Sequence, residues 1–299
     1  MEHFLEMEKL SNCPICSHNE FMPFMKVKDW SISKEDFYLV QCNGCGLVLT
    51  NPRPGEEEIG PYYESQEYVS HSDTKDGIIN KLYQLVKSYT IGRKVEMVNS
   101  LAPKKAVLDV GCGTGDFVGT CKNAGWMVQG VEPNKTARDL VSSKYGFVPS
   151  ESFEKANYEN GSLGIITMWH VLEHVHRLDY YLSSYYELLD KNGILVIAIP
   201  NYTSYDAQHY QAYWAAYDVP RHIWHFSPDT MMQLCKRYGF ELKETLPMWF
   251  DSFYVSMLSE KYKNGGNIVK AFYIGLVSNL KALFQKGTCS SQIYVFVKK

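Results

Sequence analysis

The sequence contains no run of about 18 consecutive apolar residues, so no segment is expected to cross a bilayer as a helix. It has no excess of positive charge: 30 lysines and arginines face 33 acids, a formal net charge of −3. That balance argues against a general nucleic-acid binder, leaving only a local basic patch as a route to one. It shows no internal repeat and no low-complexity tract, which sets aside solenoids and disordered tails. The opening stretch, MEHFLEMEKL, is acidic and leads into no apolar stretch of the kind a secretory signal needs, so a cytoplasmic location is expected. What remains is 299 residues, 45% hydrophobic and 21% charged, enough for one large core and a small satellite.

The eight cysteines are unevenly spread. Cys13-Pro-Ile-Cys16 and Cys42-Asn-Gly-Cys45 form two C-x-x-C pairs with 25 residues between them, whereas Cys112, Cys121, Cys235 and Cys289 stand alone. In a chain with no secretory signal, paired cysteines favour metal over disulfides. Cys13, Cys16, Cys42 and Cys45 would supply four thiolates to a tetrahedral structural Zn²⁺. Gly46, after the second pair, would let backbone N–H groups turn toward the sulfurs. The long spacer suggests an inserted hairpin. A saturated four-thiolate site has no open position, so its role would be structural; free or redox-active thiols are the competing reading.

Periodicity divides the chain in three. Residues 1–55 are irregular and punctuated, a zinc-ribbon-like domain with short β runs at Phe37–Gln41 and Leu47–Thr50. Residues 56–100 read as a helical linker or cap, with Ile78, Leu82, Leu85, Val86 and Tyr89 at helical spacing. Residues 101–299 alternate apolar strands with amphipathic helices, which predicts an α/β fold of Rossmann-like type, parallel with one antiparallel C-terminal strand. Strands are expected at Ala106–Val110, Met127–Val131, near Phe147, and at Leu163–Trp169, Ile194–Ile199, Phe240–Thr245 and Gln292–Val297. Helices are expected at Asp116–Ala124, Lys135–Lys144, Asp179–Asp190 and Pro228–Tyr238. Residues 200–227 read as a loop and 250–288 as a helical insert.

Asp109-Val-Gly-Cys-Gly-Thr-Gly115 reads as a buried strand running into a glycine turn that opens a helix. Glycines allow positive φ and close approach of a ligand to the main chain, and the helix start offers free N–H groups. Glu132 ends the next strand, 21 residues beyond Gly111, where an acid can accept hydrogen bonds from both ribose hydroxyls. The third glycine of a dinucleotide loop is replaced by Asp116, whose charge disfavours a diphosphate and tolerates a sulfonium nucleoside.

Asp109–Gly115 with Val131-Glu132-Pro133 resembles motif I and the acidic motif after it in class I S-adenosylmethionine (SAM)-dependent methyltransferases. The resemblance runs on through Met168-Trp-His-Val-Leu-Glu-His-Val175, Gly193–Asn201 and Arg237–Leu242, over roughly residues 90–245. It implies SAM as cofactor, with Asp109, Gly111, Cys112, Gly113, Glu132, Pro133, Trp169 and His170 lining the pocket and adenine near Glu151–Phe153. One departure is Ser162-Leu-Gly-Ile165, where the family usually carries an acid. The core is similar to ubiquinone-biosynthesis methyltransferases, and the N-terminal cysteines resemble a zinc-ribbon extension found on a bacterial subgroup.

Methyl transfer asks the enzyme to position an acceptor and, when needed, to remove its proton. His170 and His174 are the candidate bases, with Glu173 beside them; a packing role, or a divalent metal held by His170, Glu173 and His174, are the alternatives. Trp214, Asp218, Arg221, His222, Trp224 and His225 would form a substrate lid with Arg221 or His222 meeting the acceptor, or else a packing layer. Tyr62, Tyr63 and Tyr68 would close the other side. The 250–288 insert would cover the site, make a homodimer or touch a membrane surface, the first two being favoured. The function expected is methylation of oxygen or carbon on a small-molecule or lipid-linked acceptor. An RNA methyltransferase holding its substrate with the ribbon, or a SAM-binding protein without turnover, are the rivals; nucleic acid as a partner is disfavoured by the acidic charge.

Overall fold

The computed structural model describes residues 7–63, 78–101 and 106–299, with side chains of 78–83 and 264 left aside. Within the first stretch lie β1 (Met7–Glu8), β2 (Phe21–Lys28), β3 (Asp36–Cys42), β4 (Val48–Thr50) and β5 (Arg53–Pro54). After α1 (Ile78–Leu101) come β6 (Ala106–Val110), α2 (Asp116–Asn123), β7 (Met127–Val131), α3 (Lys135–Tyr145), β8 (Leu163–Trp169), α4 (Leu178–Leu188) and β9 (Leu189–Pro200). The rest consists of α5 (Tyr205–Tyr210), β10 (Trp224–His225), α6 (Pro228–Arg237), β11 (Phe240–Pro247), α7 (Asp251–Asn264), α8 (Ile268–Phe284) and β12 (Ser291–Lys298).

Six strands form the main sheet in the order β11-β12-β9-β8-β6-β7. β7, β6, β8 and β9 are mutually parallel, and β12 runs antiparallel to both β9 and β11. This is the Rossmann-like α/β sheet with one antiparallel strand that the sequence pattern implies. Its central strands are apolar on both faces because helices cover both, as parallel sheets require: Val107, Leu108, Ile165, Ile166, Leu195 and Val196 are fully buried.

The strand expected near Phe147 shrinks to one parallel bridge between Val131 and Ser150. Pro149 has no N–H to give a ladder there, which is why the edge stops at β7. In α1 the expected stripe faces outward at Leu85 and Tyr89, and packing is carried instead by Val95 and Val98.

Two further elements escaped the sequence pattern. β2 is a strand with a register shift between Pro23 and Met25, which blurs its alternation. The 200–227 segment, read as a loop, contains α5, two 3₁₀ turns and β10. β10 pairs with β4, Trp224 opposite Leu49, so the second sheet runs β10-β4-β3-β2. The N-terminal strands are therefore completed by residues from beyond β9. Trp30, in the β2–β3 turn, lies between Tyr213 and Tyr262 at ring-centre distances of 5.6 and 5.7 Å, tying the same region to α7.

Candidate functional site

The glycine turn follows β6 and leads into α2. Gly111, Gly113 and Gly115 all have positive φ, at 69°, 54° and 78°. At Gly111 a Cβ would stand 2.5 Å from Val171, so the turn needs a residue without a side chain on steric grounds as well. Glu132 spans the turn: one carboxylate oxygen accepts from the N–H of Gly113 at 2.8 Å and the other from that of Asn134 at 2.9 Å. Pro133 follows it, and Arg138 donates to the carbonyls of Glu132 and Pro133. Cys112 is buried, its N–H donating to the Val131 carbonyl at 2.9 Å, and burial pushes its thiol up.

Asp109 is 1% exposed and accepts a 2.6 Å hydrogen bond from the Thr167 hydroxyl. Burial raises its carboxyl to about 7, with Thr167 and Lys94 acting in the opposite direction. Lys94, from α1, sits 4.0 Å from the ring centre of Trp169, which also meets Phe117 edge-on. Burial lowers Lys94, and Asp251 and Asp109 work against that. Asp116 does not stand bare at the helix start. Lys87 contacts it at 2.6 Å, and Thr114 and Tyr145 donate to it, so it anchors α1 to the turn. The 151–153 segment is partly turned away: Phe153 is buried among Tyr158, Tyr181 and Tyr185.

Beyond β8 the histidines separate. His170 and His174 do not share a helical face, because His170 adopts φ of 58° and the 3₁₀ turn begins only at Leu172. His170 places Nε2 3.0 Å from Asp251 and Nδ1 3.4 Å from Glu173. Burial alone would lower it, but the hydrogen bond it donates to Asp251, and then the nearby Glu173 carboxylate, prevail and hold it at about 9. At neutral pH it is an imidazolium, with no lone pair for a proton.

Glu173, 1% exposed, has carboxylate oxygens with no hydrogen-bond partner among the described residues. Burial would raise it; the contact with His170 first, and the neighbouring His222 and His174, keep it below its ordinary value. His174 Nδ1 lies 3.0 Å from the Arg221 carbonyl and 2.9 Å from the Tyr63 hydroxyl. A carbonyl only accepts, so Nδ1 carries the hydrogen and Nε2 the lone pair. Burial, then His222, lowers His174 to about 4 and leaves it neutral. His222 Nδ1 donates to the Ala216 carbonyl at 2.9 Å, which again makes Nε2 the lone-pair atom. The His174 and His222 rings meet edge-on at 4.6 Å, and one ligating atom from each of Glu173, His174 and His222 falls within 4.8 Å of the others.

The remaining lid residues turn inward. Every nitrogen of Arg221 is occupied, by Asp218, Asp29 and the Tyr62 carbonyl. Trp214 donates to Asp206, Trp224 to the Val175 carbonyl, and His225 contacts Thr50. Tyr62 donates to Glu35, and Tyr68 lies outside the described residues. Lys94, Thr167 and Asp251 went unnoticed in the sequence; only Asp251, at the start of an apolar helix, stands out at all.

Cys13 and Cys45, and Cys16 and Cys42, each bring sulfurs to 3.5 Å, and all four lie within 4.8 Å of one another. The N–H of Gly44, rather than that of Gly46, turns toward a sulfur, that of Cys42 at 3.4 Å. Gly46 has φ of 81° and donates to the Cys42 carbonyl, closing the knuckle.

No curated protein matches this chain in sequence. Among solved structures it is similar to a SAM-dependent methyltransferase from Archaeoglobus fulgidus, 22% identical over 71% of this chain and 94% of that one, TM-score 0.48. It is similar to a cyclopropane synthase from Mycobacterium tuberculosis, 15% identical over 69% and 83%, TM-score 0.46. A geranyl diphosphate C-methyltransferase from Streptomyces coelicolor is 14% identical over 70% and 76%, TM-score 0.48. The model of the methyltransferase domain matches residues 87–245, from the middle of α1 to β11 and thus across the whole turn and histidine cluster. The chain belongs to that methyltransferase-domain family.

Proposed function

We propose that the chain methylates an oxygen or carbon of a small-molecule or lipid-linked acceptor with SAM, using His222 to take the acceptor's proton. The observation that carries this reading is Glu173, a buried carboxylate with unsatisfied oxygens set against His174 and His222. A buried charge is costly unless donors or opposite charge reach it. His170 already brings one positive charge to within 3.4 Å, and a protonated His222 would add a second, so Glu173 stabilises the imidazolium that forms, and His174 packs the ring in place. His170, already charged and held by Asp251, orients the acceptor rather than deprotonating it.

The cofactor site fits its group on polar atoms left open. Trp169 Nε1 is buried without a hydrogen bond among the described residues, and the fully buried Asp109 is served by a single hydroxyl. Gly111, Cys112 and Gly113 would offer backbone, Glu132 would receive the ribose hydroxyls beside Pro133, and Trp169 and His170 would flank the reacting end. Bound SAM supplies a sulfonium methyl group for in-line displacement. The four cysteine sulfurs are the donor set and spacing of structural zinc, whose ~2.3 Å bonds require such close approach. Residues 1–55 then form a zinc ribbon, 56–100 a cap and 101–299 the methyltransferase domain, of ubiquinone-biosynthesis-like type.

A second reading places a divalent cation on Glu173, His174 and His222, favoured by their mutual 4.8 Å spacing. RNA as acceptor ranks lower, since acids outnumber basic residues between 7 and 63.

The test is SAM turnover against metabolite, lipid and RNA pools with mass detection of product. His222→Ala should keep SAM affinity and slow turnover by about 10²–10⁴-fold. Glu132→Ala should weaken SAM binding by roughly 10–100-fold in calorimetry. If SAM binds and no acceptor is ever labelled, the protein is a SAM-binding protein without turnover. Loss of activity on chelation, restored by a divalent ion, would favour the cation.

A further inference from the structure

The α7–α8 hairpin turns most of its large apolar side chains outward, with Val255 and Ile274 packed inward. The face of α8 toward the protein is mostly small and polar: Ala271, Gly275, Ser278, Asn279 and Ala282 are buried, with Ile274 the one large apolar side chain among them. Gly275 allows close approach, since a Cβ there would stand 3.0 Å from Phe253 Cα. Ser278 donates to Asp206 and Asn279 to the Trp249 carbonyl, so polar contacts hold much of the inward side. The outward arc carries Ile268, Val269, Phe272, Leu276, Leu283 and Phe284, exposed by 67, 77, 60, 41, 61 and 87%. At 100° per residue these positions fall in one continuous arc of the helix. Water is a poor solvent for so large a contiguous apolar face, and such faces mark contact sites.

Charge identifies the occupant. From Ser252 to Thr288 the only acid is Glu260, which is buried and paired with Lys270 at 2.8 Å. Lys261, Lys263, Lys281 and Lys286 are exposed around the hairpin. Two copies meeting through this face would bring lysines together with no exposed acid of the hairpin to pair them. A bilayer with anionic headgroups takes both the apolar arc and the lysines.

We infer that the α7–α8 hairpin docks onto an anionic membrane surface, lying in the interface without crossing it. No helix among the described residues is long and apolar enough to span. The inference stands apart from the methyl-transfer reading, although the hairpin it places at the membrane begins with Asp251, the partner of His170.

The full-length protein is floated with vesicles of phosphatidylcholine mixed with phosphatidylglycerol, against vesicles of phosphatidylcholine alone. Wild-type protein should float with the anionic vesicles and be released by salt, which screens the lysines. Lys261→Glu with Lys263→Glu and Lys286→Glu should weaken binding at least about tenfold. Phe272→Asp with Phe284→Asp should abolish it while SAM affinity, measured by calorimetry, stays unchanged. Absence of wild-type binding, or equal salt-independent binding to both vesicle types, overturns the inference. So does a dimer in sedimentation equilibrium that Phe272→Asp with Phe284→Asp dissolves, since the face is then taken by a second copy. None of these outcomes depends on turnover.

Discussion

His170 Nε2 stands 3.0 Å from Asp251 Oδ2, joining the end of β8 to the first residue of α7 across 81 positions of sequence. The pair ties the insert to the sheet one residue past the end of β8. Because the ring is held at about 9, above its unfolded value near 6.5, it binds a proton in the folded state that the unfolded chain releases first. Its contribution is therefore fully present below about pH 6.5 and is lost as pH rises through about 9.

Asp251→Asn should remove much of that contribution. With a third of the ring side chain exposed, the loss at pH 6 should be on the order of 1–2 kcal/mol after allowing for solvent screening. The gap between wild-type and variant melting temperatures should shrink steadily from pH 6 to pH 10. A gap that stays constant across this range would show that His170 is not charged by Asp251.

The four-cysteine cluster makes an independent prediction. Protein purified without chelator should contain one equivalent of zinc, and Cys42→Ser should lower the melting temperature by roughly 10 °C. Cys42 is 1% exposed and its sulfur is 3.5 Å from that of Cys16, so a serine there cannot complete the set. Less than about half an equivalent of zinc by elemental analysis would remove the metal from the account.

What the sequence revealed was local. Val107–Val110, the glycine turn and Glu132 sit within one strand–turn–helix–strand unit, and their periodicity and spacing survive without knowledge of the rest. The strands Met127–Val131 and Leu163–Trp169 were legible to the residue for the same reason. Long-range pairing was not. Nothing near Trp224 in sequence tells that it will pair with Leu49, and the aromatic density of 200–227 fits a lid and a packing layer alike, whereas much of the segment is core. For Arg221 or His222 as the residue that meets the acceptor, sequence offers no choice, because one of the two carboxylates that hold Arg221, Asp29, lies 192 residues away. The outward apolar face of α8 was visible only as an apolar stripe, since periodicity does not say which side meets the protein.

Arg221 and Asp29 supply the last prediction. The Asp29 side chain is fully buried, and Arg221 Nη2 contacts it at 3.0 Å and Asp218 at 2.6 Å. Burial would raise Asp29; the hydrogen bond from Arg221 leads the effects that hold it below its ordinary value. Removing the cation leaves a buried carboxylate without its partner, so Arg221→Met should cost about 3–5 kcal/mol in urea unfolding at pH 7. In the variant, burial makes Asp29 take up a proton, and the penalty should ease as pH falls toward 4, where wild type begins to lose its own carboxylate contribution. Asp29→Asn added to Arg221→Met should recover part of the loss, because it removes the unpaired charge. A cost below about 1 kcal/mol for Arg221→Met would place the pair with ordinary surface ion pairs and undo its role as the clasp between the N-terminal strands and the segment that carries His222.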